Sequence, residues 1–296
     1  MSRGGSAGET VAFWTYRSMA WLGAVLPTSV GRRVFMALGS VAHATMPKVR
    51  GRVAANQGRV LGREPSDPLV AAATREAFRL YARYWFDTFD AIGRDDGWVL
   101  ERFEFVNPTV LTDLLAGGHG VVVALTHSGN WDLAGRAGRL VLDVPVVSVA
   151  ERLKPERLFR LFLEHRRALG LEIEALDEDG VGRRLAKAVE AGSMVALVAD
   201  RDLTGRGVEV MMFGATRRLP AGPALLSLST GAPLLVATLT TTPRGWRCYF
   251  GDPLTAPRTG NRRTDATALT LALAEGLEEA IAAAPADWHM FQPGWE

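Results

Sequence analysis

The sequence predicts an α/β protein: a mainly parallel central sheet flanked by helices, preceded by an N-terminal helical region. Three observations predict it. Helical periodicity runs through residues 1–95 and is strongest in "REAFRLYARYWFDTFDA", residues 75–91. From about Phe103 onward, short apolar runs alternate with helical stretches, the signature of strand–helix units with parallel neighbours. No linker, repeat or charge block interrupts that alternation. The expected division is therefore a helical region over residues 1–95 and one continuous core over 96–296.

The N-terminal region is both basic and apolar. Up to Arg63 it carries nine Lys and Arg (Arg3, Arg17, Arg32, Arg33, Lys48, Arg50, Arg52, Arg59, Arg63) against one acid, Glu9. That is +8 in a chain of net charge +2, which leaves −6 for the rest. Residues 18–31 and 34–47 are each fourteen residues without a charge, and both contain glycine and proline. A membrane-spanning helix needs about 20, and the segment reads poorly as a signal peptide. The expectation is a membrane-associating region whose helices lie on an anionic surface. Phe13, Trp14, Tyr16 and Trp21 would sink in and arginines would meet headgroups. The alternative is an ordinary helical layer packed on the core.

With 296 residues, 48% of them hydrophobic and 22% charged, the chain can bury a sizeable core. Its one cysteine, Cys248, excludes a disulfide within the chain. Strands are expected at 121–125, 144–149, 172–176, 194–198, 208–213, 234–241 and 247–250, and helices at 155–169, 181–191, 222–230 and 266–284. "MMFGATRRLPAGPALLSLSTGAPLL" reads as strand, turn, then helix, with Arg217 and Arg218 as candidates to meet an anion.

Ligands of such sheets sit beyond the carboxyl ends of the strands. "ALTHSGNWDLAG" stands at one such end: His127 leaves the strand tip and residues 130–132 open the next helix. Asp132, five residues on, is expected to accept a hydrogen bond from one ring nitrogen. That would fix the tautomer and steady the imidazolium formed when the other nitrogen takes a proton, which is the wiring of a general base. A substrate that brings its own hydroxyl needs no serine or cysteine nucleophile, and Ser128 lacks the G-x-S-x-G setting. His43, His119, His165 and His289 are scattered, so no metal is expected. The bland alternative is a satisfied histidine at a strand end.

Two further tips are charged. Glu151, Arg152 and Lys154 follow the second strand, with Arg166 and Arg167 in the helix beyond, and Asp200, Arg201 and Asp202 follow another strand. Converging tips would place these groups in one mouth with His127. Carboxylates there suit a polyhydroxyl ligand and guanidiniums suit phosphates. A solvated loop or a surface ion pair is the alternative for each.

Five ordered blocks, "THSGNWDLAG", "VAERLKPERLFRLFLEHRRALG", "VADRDLTGRGVEVMMFG", "RLPAGPALLSLSTGAPLL" and "ADWHMFQPGW", resemble the lysophospholipid and lipid A acyltransferase superfamily. Within it they are most similar to the actinobacterial phosphatidylinositol mannoside acyltransferases, from about Tyr81 to Trp295. The resemblance implies an α/β sheet flanked by helices with a membrane-associated helical end. It implies transfer of a fatty acyl chain, usually palmitoyl, from acyl-CoA to a mannose hydroxyl of a phosphatidylinositol mannoside. No cofactor is implied besides the acyl-CoA donor substrate. The expected location is peripheral, on the cytoplasmic face of the inner membrane. The resemblance makes His127 the general base and Asp132 its partner. Asp200 matches an acidic position that would help hold the histidine or the sugar. Glu151 matches an acidic residue near the acceptor mannose, and Arg166 a basic residue of the groove. Arg152, Lys154 and Arg201 lie in matched blocks as further substrate-binding candidates.

Other classes compete with this expectation. A hydrolase could use the same dyad on water, a lipid-binding protein could carry a degenerate site, and the acceptor could be a lipid A precursor or another glycolipid. A nucleic-acid partner is not expected.

Overall fold

The computed structural model describes residues 7–295. Four helices come first: α1 (Ala7–Val25), α2 (Thr28–Thr45), α3 (Pro47–Leu61) and α4 (Pro68–Asp90). Proline sets three of the starts. Pro27 precedes α2, and Pro47 and Pro68 occupy first-turn positions, where a missing N–H costs nothing. Asp67 caps α4 by accepting from the Leu69 N–H at 2.8 Å.

The buried stripe of α2 is Gly31, Phe35 and Gly39, four residues apart. A Cβ at Gly31 would overlap the Phe86 ring, and one at Gly39 would overlap the Phe78 carbonyl. The glycines thus let α2 settle deep onto α4. Asp87 of α4 locks the seam by accepting from Arg32 at 2.6 Å and Arg83 at 3.0 Å. Arg83 also donates to the Thr242 carbonyl, which ties the helical layer to the far end of a core strand.

The rest of the chain runs α5 (Asp96–Leu100), β1 (Phe103–Val106), α6 (Thr109–Leu115), β2 (Val121–Leu125), α7 (Trp131–Leu142), β3 (Val146–Ala150), α8 (Glu156–Ala168) and β4 (Glu172–Ala175). It continues with α9 (Val181–Glu190), β5 (Met194–Val198), β6 (Val208–Met212), β7 (Ala215–Leu219), α10 (Gly222–Thr230), β8 (Leu234–Thr241), β9 (Trp246–Phe250) and α11 (Arg262–Ala283). Seven strands form one sheet in the order β1-β9-β8-β2-β5-β3-β4. Every pairing in it is parallel except β8 with β9.

The mainly parallel sheet flanked by helices matches expectation, and strand chemistry explains it. β2, "VVVAL", is buried at all five positions, as a strand covered on both faces must be. Val122 and Ala124 join one core with Leu269, Leu273 and Leu277 of α11. Val121, Val123 and Leu125 join the other with Leu133 and Ala137 of α7.

Three parts differ from the sequence reading. β1 is a four-residue edge strand that the apolar pattern did not mark. β6 leaves the central sheet and pairs with β7 in a separate antiparallel hairpin. β7, "ATRRL", is too polar to read as a strand. Its turn takes positive φ at Phe213 (47°) and Gly214 (69°), the primed-turn geometry of tight hairpins. Among the described residues, no helix is long and apolar enough to cross a membrane.

Candidate active site

β2 and β5 are neighbours in register, with Leu125 opposite Val198. Two residues past each tip stand His127 and Asp200. The register alone therefore brings them together across 73 residues of sequence. His127 Nδ1 lies 2.6 Å from Asp200 Oδ1, and the His127 N–H donates to Asp200 Oδ2 at 3.1 Å. The His127 side chain is 31% exposed and Asp200 is fully buried, so the outer ring nitrogen faces the surface while the carboxylate stays dry.

A second donor, the Trp288 indole N–H, reaches Asp200 Oδ2 at 2.7 Å. The Arg217 guanidinium donates to the Asp200 carbonyl. Burial pushes the Asp200 carboxyl up, but it is outweighed by the His127 imidazole, its hydrogen bond, the Trp288 bond and Arg217. The group is held well below the usual carboxylate range. Asp200 is thus a permanent anion that fixes the imidazole and would stabilise its protonated form.

This corrects the expected dyad. Asp132 is not the partner of the His127 ring. Asn130 caps α7 by accepting from the Leu133 N–H, which turns Asp132 into the first helical turn and away to the side. There Asp132 accepts from the Tyr84 hydroxyl of α4 at 2.7 Å and lies 2.7 Å from Arg166 Nε of α8. Burial, then the nearby Asp132 charge, push the Tyr84 phenol well above its ordinary range, so Tyr84 stays the donor. Arg166 is buried, with its guanidinium 4.1 Å from the Phe162 ring centre. Asp132 therefore joins three helices beside the site.

The converging tips are partly as expected. β5 lies between β2 and β3, and Arg201, just past Asp200, pairs with Glu151, just past β3, at 3.0 Å. Both are part exposed and line the same edge as His127. Arg152 turns the other way, toward Asp177 at 2.9 Å, Glu156 and Glu178. Its guanidinium is spent on bracing the β3 and β4 loops. Lys154 is exposed. Asp202 organises its own loop by accepting from the N–H groups of Thr204 and Gly207. No group of three His, Cys, Asp or Glu among the described residues has a metal-holding arrangement.

Sequence reasoning missed Trp288 and His289 as neighbours of the pair and Tyr84 as the partner of Asp132, while Arg217, a candidate to meet an anion, does stand beside the Asp200 carboxylate. The block "ADWHMFQPGW" was the available signal, since it sets an indole and an imidazole, both able to donate, side by side.

The chain matches the bacterial lipid A biosynthesis acyltransferase family over residues 6–296. It is similar to a phosphatidylinositol mannoside acyltransferase of Mycolicibacterium smegmatis, with 40% identity over 245 residues, 81% of this chain and 77% of that protein. It is also similar to the phosphatidylinositol mannoside acyltransferase of Mycobacterium tuberculosis, with 38% identity over 252 residues, 81% of this chain and 75% of that one. A strand-tip histidine with a buried carboxylate partner, on a chain matched almost end to end, leads to one conclusion: the protein belongs to the bacterial lipid A biosynthesis acyltransferase family.

Proposed function

We propose that this protein is a glycolipid acyltransferase that moves a fatty acyl chain, palmitoyl, from acyl-CoA to a mannose hydroxyl of a phosphatidylinositol mannoside. The observation that carries the reading is the His127–Asp200 pair, a part-exposed imidazole on a buried carboxylate. Curated relatives of that name support the acceptor class.

In this reading a mannose hydroxyl gives its proton to His127 Nε2 as its oxygen attacks the thioester carbonyl. Asp200 stabilises the imidazolium that results. Collapse of the tetrahedral intermediate expels the CoA thiolate, and His127 returns the proton to it. A positioned base contributes about 10²–10⁴-fold. The developing oxyanion needs donors. The first-turn N–H groups of Trp131 and Asp132 serve, since the Asn130 cap occupies that of Leu133. Glu151 and Arg201 receive the hydroxyl-rich headgroup at the adjoining tips. Arg166, spent on Asp132, shapes the wall of the site.

The protein acts as a peripheral enzyme on an anionic membrane surface. α2 carries a second apolar stripe roughly a quarter-turn round the helix from the buried one, with Val30, Val34, Leu38 and Val41 at 39–56% exposure. α1 adds Val11, Trp14, Trp21 and Val25, each more than half exposed. Arg17, Arg33 and Arg52 are exposed on the same helical layer. Phe13 and Tyr16 are not part of this face. Phe13 lies under Arg157, and Tyr16 packs on Trp85, Phe89 and His165.

Mass spectrometry of products from palmitoyl-CoA and a panel of glycolipids tests the reading. Acylated phosphatidylinositol mannoside and acceptor-dependent CoA release are expected. CoA release without any acylated glycolipid would make the protein a thioesterase, and preferential acylation of a lipid A precursor would replace the acceptor.

A further inference from the structure

We infer that Trp288 and His289 are positioning residues of the site, Trp288 holding the Asp200 carboxylate toward His127 and His289 holding the loop that carries His127. The inference rests on the acyl-transfer reading of the His127–Asp200 pair.

The argument begins with the backbone. Residues 287–289 run antiparallel to the loop after β2, bridging Ser128 to Trp288. The His289 N–H donates to the His127 carbonyl at 2.7 Å, and the Gly129 N–H donates to the Asp287 carbonyl at 3.3 Å. The tail is itself anchored, because Asp287 Oδ2 accepts from the Thr241 N–H at the end of β8. β8 is the neighbour of β2 on the side away from β5. The loop carrying His127 is therefore gripped between β5 on one flank and the β8-anchored tail on the other.

The side chains then act on the atoms that matter. Asp200 has two carboxylate oxygens. Oδ1 faces the His127 ring at 2.6 Å, and Oδ2 takes the Trp288 indole N–H at 2.7 Å beside the longer bond from the His127 backbone N–H at 3.1 Å. An indole N–H only donates, so with the His127 backbone N–H it holds the rotation of the carboxylate without competing for the imidazole proton. Trp288 is in turn braced by Arg217, whose guanidinium lies 5.1 Å from its ring and 5.0 Å from that of Trp295. The same guanidinium donates to the Asp200 carbonyl, so side chain and backbone of Asp200 are held at once.

His289 acts on the loop. Its Nε2 lies 3.1 Å from the Gly129 carbonyl, which can only accept, so Nε2 carries the proton and Nδ1 does not. Burial pushes its pKa down to about 3, so it is a neutral donor at working pH. Pinning the Gly129 carbonyl sets the plane of the peptide that follows, and hence the direction of the Asn130 N–H on its other side. A tail that served packing alone would need neither of these two buried donors.

Full-length Trp288→Phe, His289→Gln and His289→Ala, with His127→Ala as control, test the inference. Palmitoyl transfer, thermal midpoint and the NMR titration of His127 are measured for each. The His127 signal is assigned by its loss in His127→Ala. Phenylalanine keeps the ring between Asp200 and Arg217 but removes the N–H. Trp288→Phe should lower kcat by about 10- to 100-fold, the scale on which losing a hydrogen-bond partner of a metal-ligating side chain costs activity, with KM within about twofold. The His127 titration should move to higher pH, because the Asp200 charge is no longer shared with the indole. Asp200, Arg217, His289 and, at the adjoining tips, Glu151 and Arg201 are the charged or titratable groups around His127, and of these only Asp200 loses a partner. His289→Gln, which can still donate to Gly129, should lose less kcat than His289→Ala. Wild-type kcat and an unmoved titration in Trp288→Phe would overturn the inference. So would activity lost only in proportion to folded protein. If Trp288→Phe does not fold, the Gln and Ala variants at 289 decide: equal kcat in both overturns the His289 role. Retained transfer in His127→Ala would instead overturn the acyl-transfer reading, while the titration still reports on positioning.

Discussion

Asp132→Asn separates the observed wiring from the one that the H-x4-D spacing suggests. The substitution keeps the size of the side chain and removes its charge. Asp132 lies 2.7 Å from Arg166 Nε, and the two side chains are 4% and 11% exposed. Asparagine leaves the Arg166 guanidinium buried without a counter-ion. Breaking one partner of a buried pair costs about 3–5 kcal/mol. In a domain of this size each kcal/mol lowers the midpoint by roughly 2–4 °C, so a fall on the order of 10 °C is expected by differential scanning fluorimetry. The His127 titration should stay near its wild-type position, because the ring is held by Asp200. Asp200→Asn should do the reverse. It removes the charge at 2.6 Å from the ring, moves the His127 titration to lower pH, and lowers turnover per folded molecule by about 10²–10⁴-fold. An Asp132→Asn protein with a wild-type midpoint and a His127 titration displaced as far as in Asp200→Asn would refute this reasoning and restore Asp132 as the partner.

Three further outcomes are expected. His127→Ala should fold and lose at least about 10²-fold in transfer, the least expected of a general base; more than a tenth of wild-type activity would remove His127 from the mechanism. Asp200→Ala should impair transfer far more than Asp202→Ala, whose carboxylate serves its own loop, and near-neutral effects in both would place the tip outside the chemistry. Acid should destabilise the protein through two buried groups. Both Asp200 and His289 have folded pKa values below their ordinary ones, so the unfolded chain binds protons first and stability falls with pH. For His289 the loss begins near its ordinary 6.5 and runs to about 3, so midpoints read across that window should fall, and less steeply in His289→Gln. A midpoint independent of pH there would contradict the buried neutral imidazole.

The strand–helix alternation and the charged tips were legible because they are local. A short β-branched run such as "VVVAL" reads as a covered strand, and a histidine two residues past it stands at the strand's carboxyl end. The partner of that histidine was not local. Spacing in sequence favoured Asp132, but a helical residue one turn on points sideways from its axis, and the Asn130 cap fixes which side. Asp200 became the partner through the placing of β5 beside β2, which no spacing reveals. The tail contacts were hidden for the same reason: Trp288 meets Asp200 from 88 residues away. β7 escaped because a two-stranded hairpin outside the main sheet needs no apolar alternation on both faces.

The position of β2 also bears on how the chain reaches its native state. Its two ladder partners, β5 and β8, both follow it in sequence, as does the partner of β1. β3 with β4 is the earliest pairing the growing chain can complete. At a synthesis rate of roughly 5–20 residues per second, the stretch from Leu125 to Met194 takes several seconds to emerge. For that time the most apolar strand of the sheet has neither edge satisfied. The nascent protein is therefore at its most association-prone midway through translation. A holding chaperone that recognises extended apolar segments should engage it in that interval and release it once β5 has docked.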